Sequence, residues 1–164
     1  MQIPGFLFFV IFPQLFVNKG LFNLAAGNQK QGESDLLNAV NASPEIMNTR
    51  LLLATYHLRQ HNYPTALELL EKGLTITPDN ALIYNLLAAV KFGQNKPEEA
   101  VASLQKAKAL NPEYFSPYSN LANYYISRKD YQAALAEYQG VLDVAPDNMS
   151  ALLKAASLQE FLGQ

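Results

Sequence analysis

The sequence predicts an all-α fold, a solenoid of antiparallel helix pairs. Three observations carry it: a 34-residue period, a large-then-small residue pair in each period, and turn chemistry that cuts every period into two helical stretches. Pro44, Pro78, Pro112 and Pro146 stand 34 residues apart. In the same frame Leu53, Leu87, Leu121 and Ala155 recur, each followed by an alanine: Ala54, Ala88, Ala122 and Ala156. Twelve residues after the first three of these alanines come Ala66, Ala100 and Ala134, then Leu70, Leu104 and Tyr138, then Gly73, Ala107 and Val141.

The first helix of each period has apolar residues at helical spacing over roughly 47–60, 81–92, 115–127 and 149–162. His61-Asn62-Tyr63, Gly93-Gln94-Asn95-Lys96 and Arg128-Lys129-Asp130 then break the pattern. Second helices follow over roughly 64–75, 97–110 and 131–144, with Pro64 and Pro97 near a first turn, where a missing N–H costs nothing. Each stops before Thr77-Pro78, Asn111-Pro112 or Ala145-Pro146, because the residue before proline is pushed out of the helical region. Small residues at the crossing let two helix axes approach to about 8–10 Å. Helices of this length are marginal alone, so each pair must bury its apolar face on the next.

The large-small-alanine spacing with a closing proline resembles the tetratricopeptide repeat (TPR), a resemblance that implies a right-handed superhelical solenoid. On that frame the chain divides into an apolar leader (1–22), a degenerate repeat (23–46), three full repeats (47–80, 81–114 and 115–148) and an unpaired terminal helix (149–164). In the degenerate repeat Leu36, Ala39 and Pro44 hold their places, while Gly32 stands where alanine is expected. Pro112-Glu113-Tyr114-Phe115, Asn120-Leu121-Ala122 and Asn85-Leu86-Leu87-Ala88 carry a narrower resemblance. They look like the TPR proteins of bacterial exosortase (PEP-CTERM) sorting and exopolysaccharide loci. That likeness implies the bacterial cell envelope or periplasm, with the cytoplasm as the alternative.

The apolar run at residues 3–17 fits no repeat and admits three readings. It has the length of a secretory signal core, with Leu24-Ala25-Ala26 as a cleavage site, but no Lys or Arg precedes it. A membrane span needs roughly 20 apolar residues, and Pro13 interrupts this run. The third reading is a non-native start, opened ahead of an array whose true beginning is lost. On either the first or the third reading, removing residues 1–22 leaves folding intact. At the other end Leu152, Leu153, Leu158, Phe161 and Leu162 give the terminal helix more apolar surface than a cap needs, which points to a longer array or to self-association.

Hydrophobic residues make up 49% and charged residues 16% of the 164-residue chain, which suits a folded core rather than disorder. A net charge of -2 with scattered basic residues offers no footprint for nucleic acid, and membrane association is left open. Without cysteine there is no disulfide, thiol nucleophile or cysteine-ligated zinc. His57 and His61 have the four-residue spacing of zinc ligands, but His57 takes a place usually filled by a core aromatic and no third ligand is implied. Glu68, Glu71, Glu98 and Glu99 read as solvated charge, and no phosphate loop or serine elbow is present. The expectation is therefore a protein that is not an enzyme, with no cofactor and no metal.

In the resembling family the first helices line a concave groove. Its lining positions fall on Asn48, Leu51, Thr55, Leu58, Leu82, Asn85, Ala89, Phe92, Ser116, Ser119, Asn123 and Ile126. Clamping a terminal carboxylate would need Lys or Arg there, and these positions hold none. The resemblance thus implies a protein interaction scaffold whose groove takes a peptide or protein through Thr55, Leu58, Leu82, Asn85, Phe92, Ser119, Asn123 and Ile126. Tyr118, Tyr125 and Tyr138 fall on core positions, leaving Tyr114, Tyr124 and Tyr131 free to bind. The alternatives are noncatalytic carbohydrate binding through Asn85, Asn123 and Tyr124, and an accessory segment of an enzyme whose catalytic part lies elsewhere.

Overall fold

The computed structural model describes residues 5–163, with side chains from residue 13 onward. Among the described residues there are nine α-helices and no strand. They form two compact units that divide between Pro78 and Asp79.

The first unit holds α1 (Gly5–Ala25), α2 (Gln29–Ala42), α3 (Met47–Arg59) and α4 (Tyr63–Ile76). Helix α1 packs on α2, α2 on α3, and α3 on α4. The sequence pattern ends an apolar leader at residue 22 and opens a degenerate repeat at 23; the structure instead runs one helix across that boundary. Residues 1–4 of the leader lie outside the described residues. Two glycines explain why the later part of α1 belongs with α2. A Cβ on Gly32 would lie 2.6 Å from Leu24 Cγ and 2.9 Å from the Gly20 carbonyl oxygen, and one on Gly20 would lie 3.0 Å from the Gly32 carbonyl oxygen. Gly20 and Gly32 stand 34 residues before Ala54 and Ala66, so they are the small residues of one more crossing, at closer approach than alanine allows. Among the described residues no helix is long and apolar enough to cross a membrane.

The second unit holds α5 (Ala81–Gly93), α6 (Pro97–Leu110), α7 (Ser116–Ser127), α8 (Tyr131–Val144) and α9 (Met149–Leu162). Helices α5 and α6 pair, as do α7 and α8, with α6 against α7 and α8 against α9. Its core repeats the sequence frame. Ala88, Ala100, Leu104 and Leu121 form one buried cluster; Ala122, Ala134, Tyr138 and Ala155 form the next. Ala156, at the small-residue place of α9, is exposed.

Local chemistry starts and stops these helices where the pattern requires. The Asn80 side chain accepts hydrogen bonds from the N–H groups of Leu82 and Ile83, Asp130 from Ala133, and Asn148 from Ala151. Each satisfies an N–H left orphaned by a helix start. Helix α7 begins at Ser116, one residue later than the periodicity places it, with Pro117 in its first turn. Within each full repeat the chain reverses through a left-handed residue: His61 (φ 56°), Asn95 (φ 59°) and Lys129 (φ 61°), again 34 residues apart. Asn95 and His61 belong to types that enter this region more readily than most, whereas Lys129 does not.

Candidate functional site

The second unit carries a cleft of about 470 Å³ lined by Ala88, Ala89, Phe92, Leu104, Asn120, Asn123, Tyr124 and Ser127. Its shape follows from the repeat. Small residues at 88 and 89 leave the flank of α5 low, while one helical turn on, Phe92 and Tyr124 rise beside it with ring centroids 5.4 Å apart. Tyr124 also lies 5.5 Å from Tyr125, which packs against both buried clusters, so the aromatic wall is anchored in the core. Burial, with a smaller push from the Glu137 carboxylate, raises the Tyr125 phenol above its ordinary value and keeps it neutral. None of the eight lining residues carries a charge.

Of the positions expected to line a groove, this cleft brings together Ala89, Phe92 and Asn123. It adds Ala88, Leu104, Asn120, Tyr124 and Ser127. Asn85 does not line this cleft; its side-chain oxygen accepts a 2.9 Å hydrogen bond from Asn120 Nδ2, which ties α5 to α7. Leu82 lines a separate hollow with Asp79, Asn80, Ala81, Leu110, Asn111 and Tyr114. Ser119 is half-buried and Ile126 exposed, and neither lines the cleft. In the first unit Leu58 is half-buried, Leu51 is buried, and Thr55 spends its hydroxyl hydrogen on the Leu51 carbonyl at 2.7 Å.

The aromatic residues divide by their packing. Tyr118 and Tyr138 are buried, and the Lys108 ammonium sits 4.2 Å above the Tyr118 ring. Tyr131 packs edge-on against Phe161 at 4.6 Å, so it is engaged with α9 instead of lying open. His57 and His61 do not converge: His57 is only 4% exposed and faces Glu33 at 3.7 Å, while the His61 ring meets the Tyr63 hydroxyl at 2.8 Å. Among the described residues no three His, Asp or Glu side chains gather as metal ligands.

Two tetratricopeptide repeat family models match, over residues 57–124 and 118–145. Protein O-mannosyl-transferase TMTC1 of Mus musculus is 28% identical over 132 residues, which cover 78% of this chain and 14% of the mouse protein. The chain therefore spans a small part of that relative's length. The crystal structure of a thermophilic TPR protein in Thermus thermophilus shares the fold at a TM-score of 0.73 and 21% identity, covering 89% of this chain and 80% of that one. The first TPR of Spaghetti (RPAP3), bound to an HSP90 peptide, matches at a TM-score of 0.57 and 22% identity, covering 72% of this chain and 94% of that one. The two family models together account for more than half of the chain. Their span includes the paired helices, the alanine crossings and the left-handed turns at 34-residue spacing, and on these grounds the chain belongs to the tetratricopeptide repeat family.

Proposed function

We propose that this chain is a noncatalytic interaction module and that the cleft flanked by α5 and α7 seats a segment of a protein partner. The observation that carries the reading is an uncharged hollow with an aromatic wall, Phe92 and Tyr124, beside the side-chain amides of Asn120 and Asn123. Apolar side chains of a peptide gain from the wall, and the amides pair with its backbone. TPR proteins as a family mediate protein–protein interaction, and the Spaghetti repeat that resembles this one holds the peptide SRMEEVD. The absence of charge among the eight lining residues turns the preference here toward apolar segments and away from acidic ones. The Pro112-Glu113-Tyr114-Phe115 and Asn-Leu-Ala strings support a place in bacterial exosortase sorting or exopolysaccharide assembly at the envelope.

The test is capture of a partner from an extract, then titration of the recovered protein. Asn123 is exposed and Tyr124 half-buried, and neither belongs to a fully buried cluster. Asn123→Ala with Tyr124→Ala should therefore keep the fold and weaken binding about tenfold or more. Normal binding by that variant, with loss on changing Glu98 and Glu99 of α6, would place the working surface outside the cleft.

A further inference from the structure

Helix α1 carries more apolar surface than α2 can cover. Its residues 6–12 are apolar without exception, Phe-Leu-Phe-Phe-Val-Ile-Phe, and the backbone there is already helical. A helical stretch of that composition has no polar side to offer water, whichever way it is turned. Further along, Leu15 is 55% and Phe22 73% exposed; they stand seven residues apart on one face, away from Gly20, which is set against α2. Helix α2 reaches ten residues past Gly32, to Ala42, whereas α1 begins fifteen residues before Gly20. In this antiparallel pair the first turn of α1 therefore outruns the helix it packs on.

Composition, charge and the crossing together point to what covers this surface. A protein partner is held in register by polar groups around an apolar centre, whereas acyl chains ask only for apolar area. Residues 6–12, Leu15 and Phe22 offer no hydrogen-bonding side chain, and the neighbouring Gln14 and Asn18 bond to each other at 3.0 Å. Residues 1–32 contain Lys19, Lys30 and no acid, in a chain whose net charge is -2. Lys19 lies 3.2 Å from the buried Asp35 carboxylate. Lys30 is exposed, has no ion-pair partner among the described residues, and stands level with Phe22, two residues from the Gly20–Gly32 crossing. The crossing also makes α1 part of the array, since a cut after Ala26 would remove the helix on which α2 packs. A helix lying in the plane of a bilayer needs one apolar face and not the roughly 20 apolar residues of a span.

We propose that α1 is a membrane-docking helix, lying in the interface of an anionic bilayer with Leu15, Phe22 and the apolar stretch before them against the acyl chains. Lys30 meets the headgroups, and the Gly20–Gly32 crossing fixes the rest of the first unit to the docked helix. The proposal takes nothing from the α5–α7 cleft, so either stands if the other fails.

The whole chain is floated with vesicles of phosphatidylcholine and phosphatidylglycerol in equal parts, and with phosphatidylcholine alone. It should rise with the first, and several-fold less with the second. Leu15→Gln with Phe22→Gln should lower partitioning about tenfold or more and leave the helical circular dichroism unchanged, because both side chains lie outside the packed face. Leu153→Gln, at an exposed leucine of α9, should leave partitioning as it is. Lys30→Gln should weaken binding to the anionic vesicles alone. The chain has no tryptophan, so Phe22→Trp reports from the face itself: its emission should shift to the blue on anionic vesicles and be quenched by brominated acyl chains. Flotation that survives the double change, or falls equally with Leu153→Gln, would overturn the proposal. So would a tryptophan at position 22 that ignores vesicles but shifts to the blue as protein concentration rises, which would make the face a contact between copies of the chain.

Discussion

Replacing Gly32 by alanine tests the most consequential feature of the first unit, the crossing that joins α1 to α2. At an open helix position this change stabilises by roughly 0.8–1 kcal/mol, because alanine loses less backbone freedom on folding than glycine. Here the added Cβ would stand 2.6 Å from Leu24 Cγ, 2.7 Å from Leu24 Cδ2 and 2.9 Å from the Gly20 carbonyl oxygen. The leucine can change rotamer, but the carbonyl belongs to a helix and yields only if the whole helix moves. Overpacking of this kind costs about 1–3 kcal/mol, so the net change should be a loss of up to about 2 kcal/mol. Gly20→Ala meets the reciprocal carbonyl at 3.0 Å and should behave alike. The double variant should cost less than the sum, because helices already forced apart admit both methyl groups. Gly140→Ala is the control: its Cβ would meet only the Tyr118 ring edge, at 3.1 Å, and a ring can shift where a carbonyl cannot. Thermal melting combined with hydrogen exchange of the α1 and α2 amides measures the effect in the right unit. A Gly32→Ala protein that melts higher, with unchanged exchange in α1, would refute the close crossing.

Two further changes probe the fold and its pH response. Ala88→Leu or Ala122→Leu should destabilise by about 1–3 kcal/mol in urea melts, whereas exposed Lys106→Leu should be nearly neutral; equal effects would mean that the crossing face is misassigned. Burial lowers the His57 imidazole below its ordinary value of 6.5, and the nearby Glu33 carboxylate only partly offsets this. The folded state therefore resists a proton that the unfolded chain accepts, so the contribution is complete above pH 6.5 and is lost as pH falls below it. His57→Gln should flatten that part of a stability-against-pH curve, and an unchanged slope would exclude His57 as its source.

The repeat is legible in the sequence because a proline and two alanines recur at one interval, and period survives substitution better than any single residue does. The same reliance on leucine and alanine hides the first crossing. At the places of Leu53 and Ala54 the earlier helix carries Lys19 and Gly20, and Gly32 looks like a defect of the frame until Gly20 is seen to be its partner. The cleft is half legible. Phe92 and Asn123 follow from the repeat position, but the hydrogen bond that ties Asn85 to Asn120 joins side chains 35 residues apart. The frame leaves Tyr131 open at a helix start, whereas its contact with Phe161 depends on how α9 turns. The frame also shows Arg50 standing in the column of Tyr84 and Tyr118, an arginine in place of an aromatic.

That column points to a difference in how the two units are held. In the second, those places carry Tyr84 and Tyr118, then Lys91 and Tyr125, and the buried clusters are aromatic and aliphatic. At those places the first carries Arg50, Asn23 and His57, with Lys19 at the place of Leu53, and its interfaces rely on polar pairing. Asp35 is the focus: it is 1% exposed, and burial alone would push its carboxyl up. Hydrogen bonds from Asn23, Lys19 and Gln31, with the Lys19 charge, outweigh burial and hold it below its ordinary value of 3.8. A carboxylate held down in this way supports the fold above that value, and its contribution is lost as pH falls further and the group takes a proton. His57 gives way earlier in the same descent, below 6.5. Acid thus removes support from the first unit in two steps, at α3 and then at the α1–α2 pair. In the second unit the carboxylate held low, Glu99, is exposed on α6 and outside the aromatic clusters, so local opening on acidification should begin in the first unit while the α5–α7 cleft is still formed. Hydrogen exchange followed from pH 7 down to about pH 3 measures the order, and amides of α5 and α7 that exchange before those of α2 and α3 would refute it.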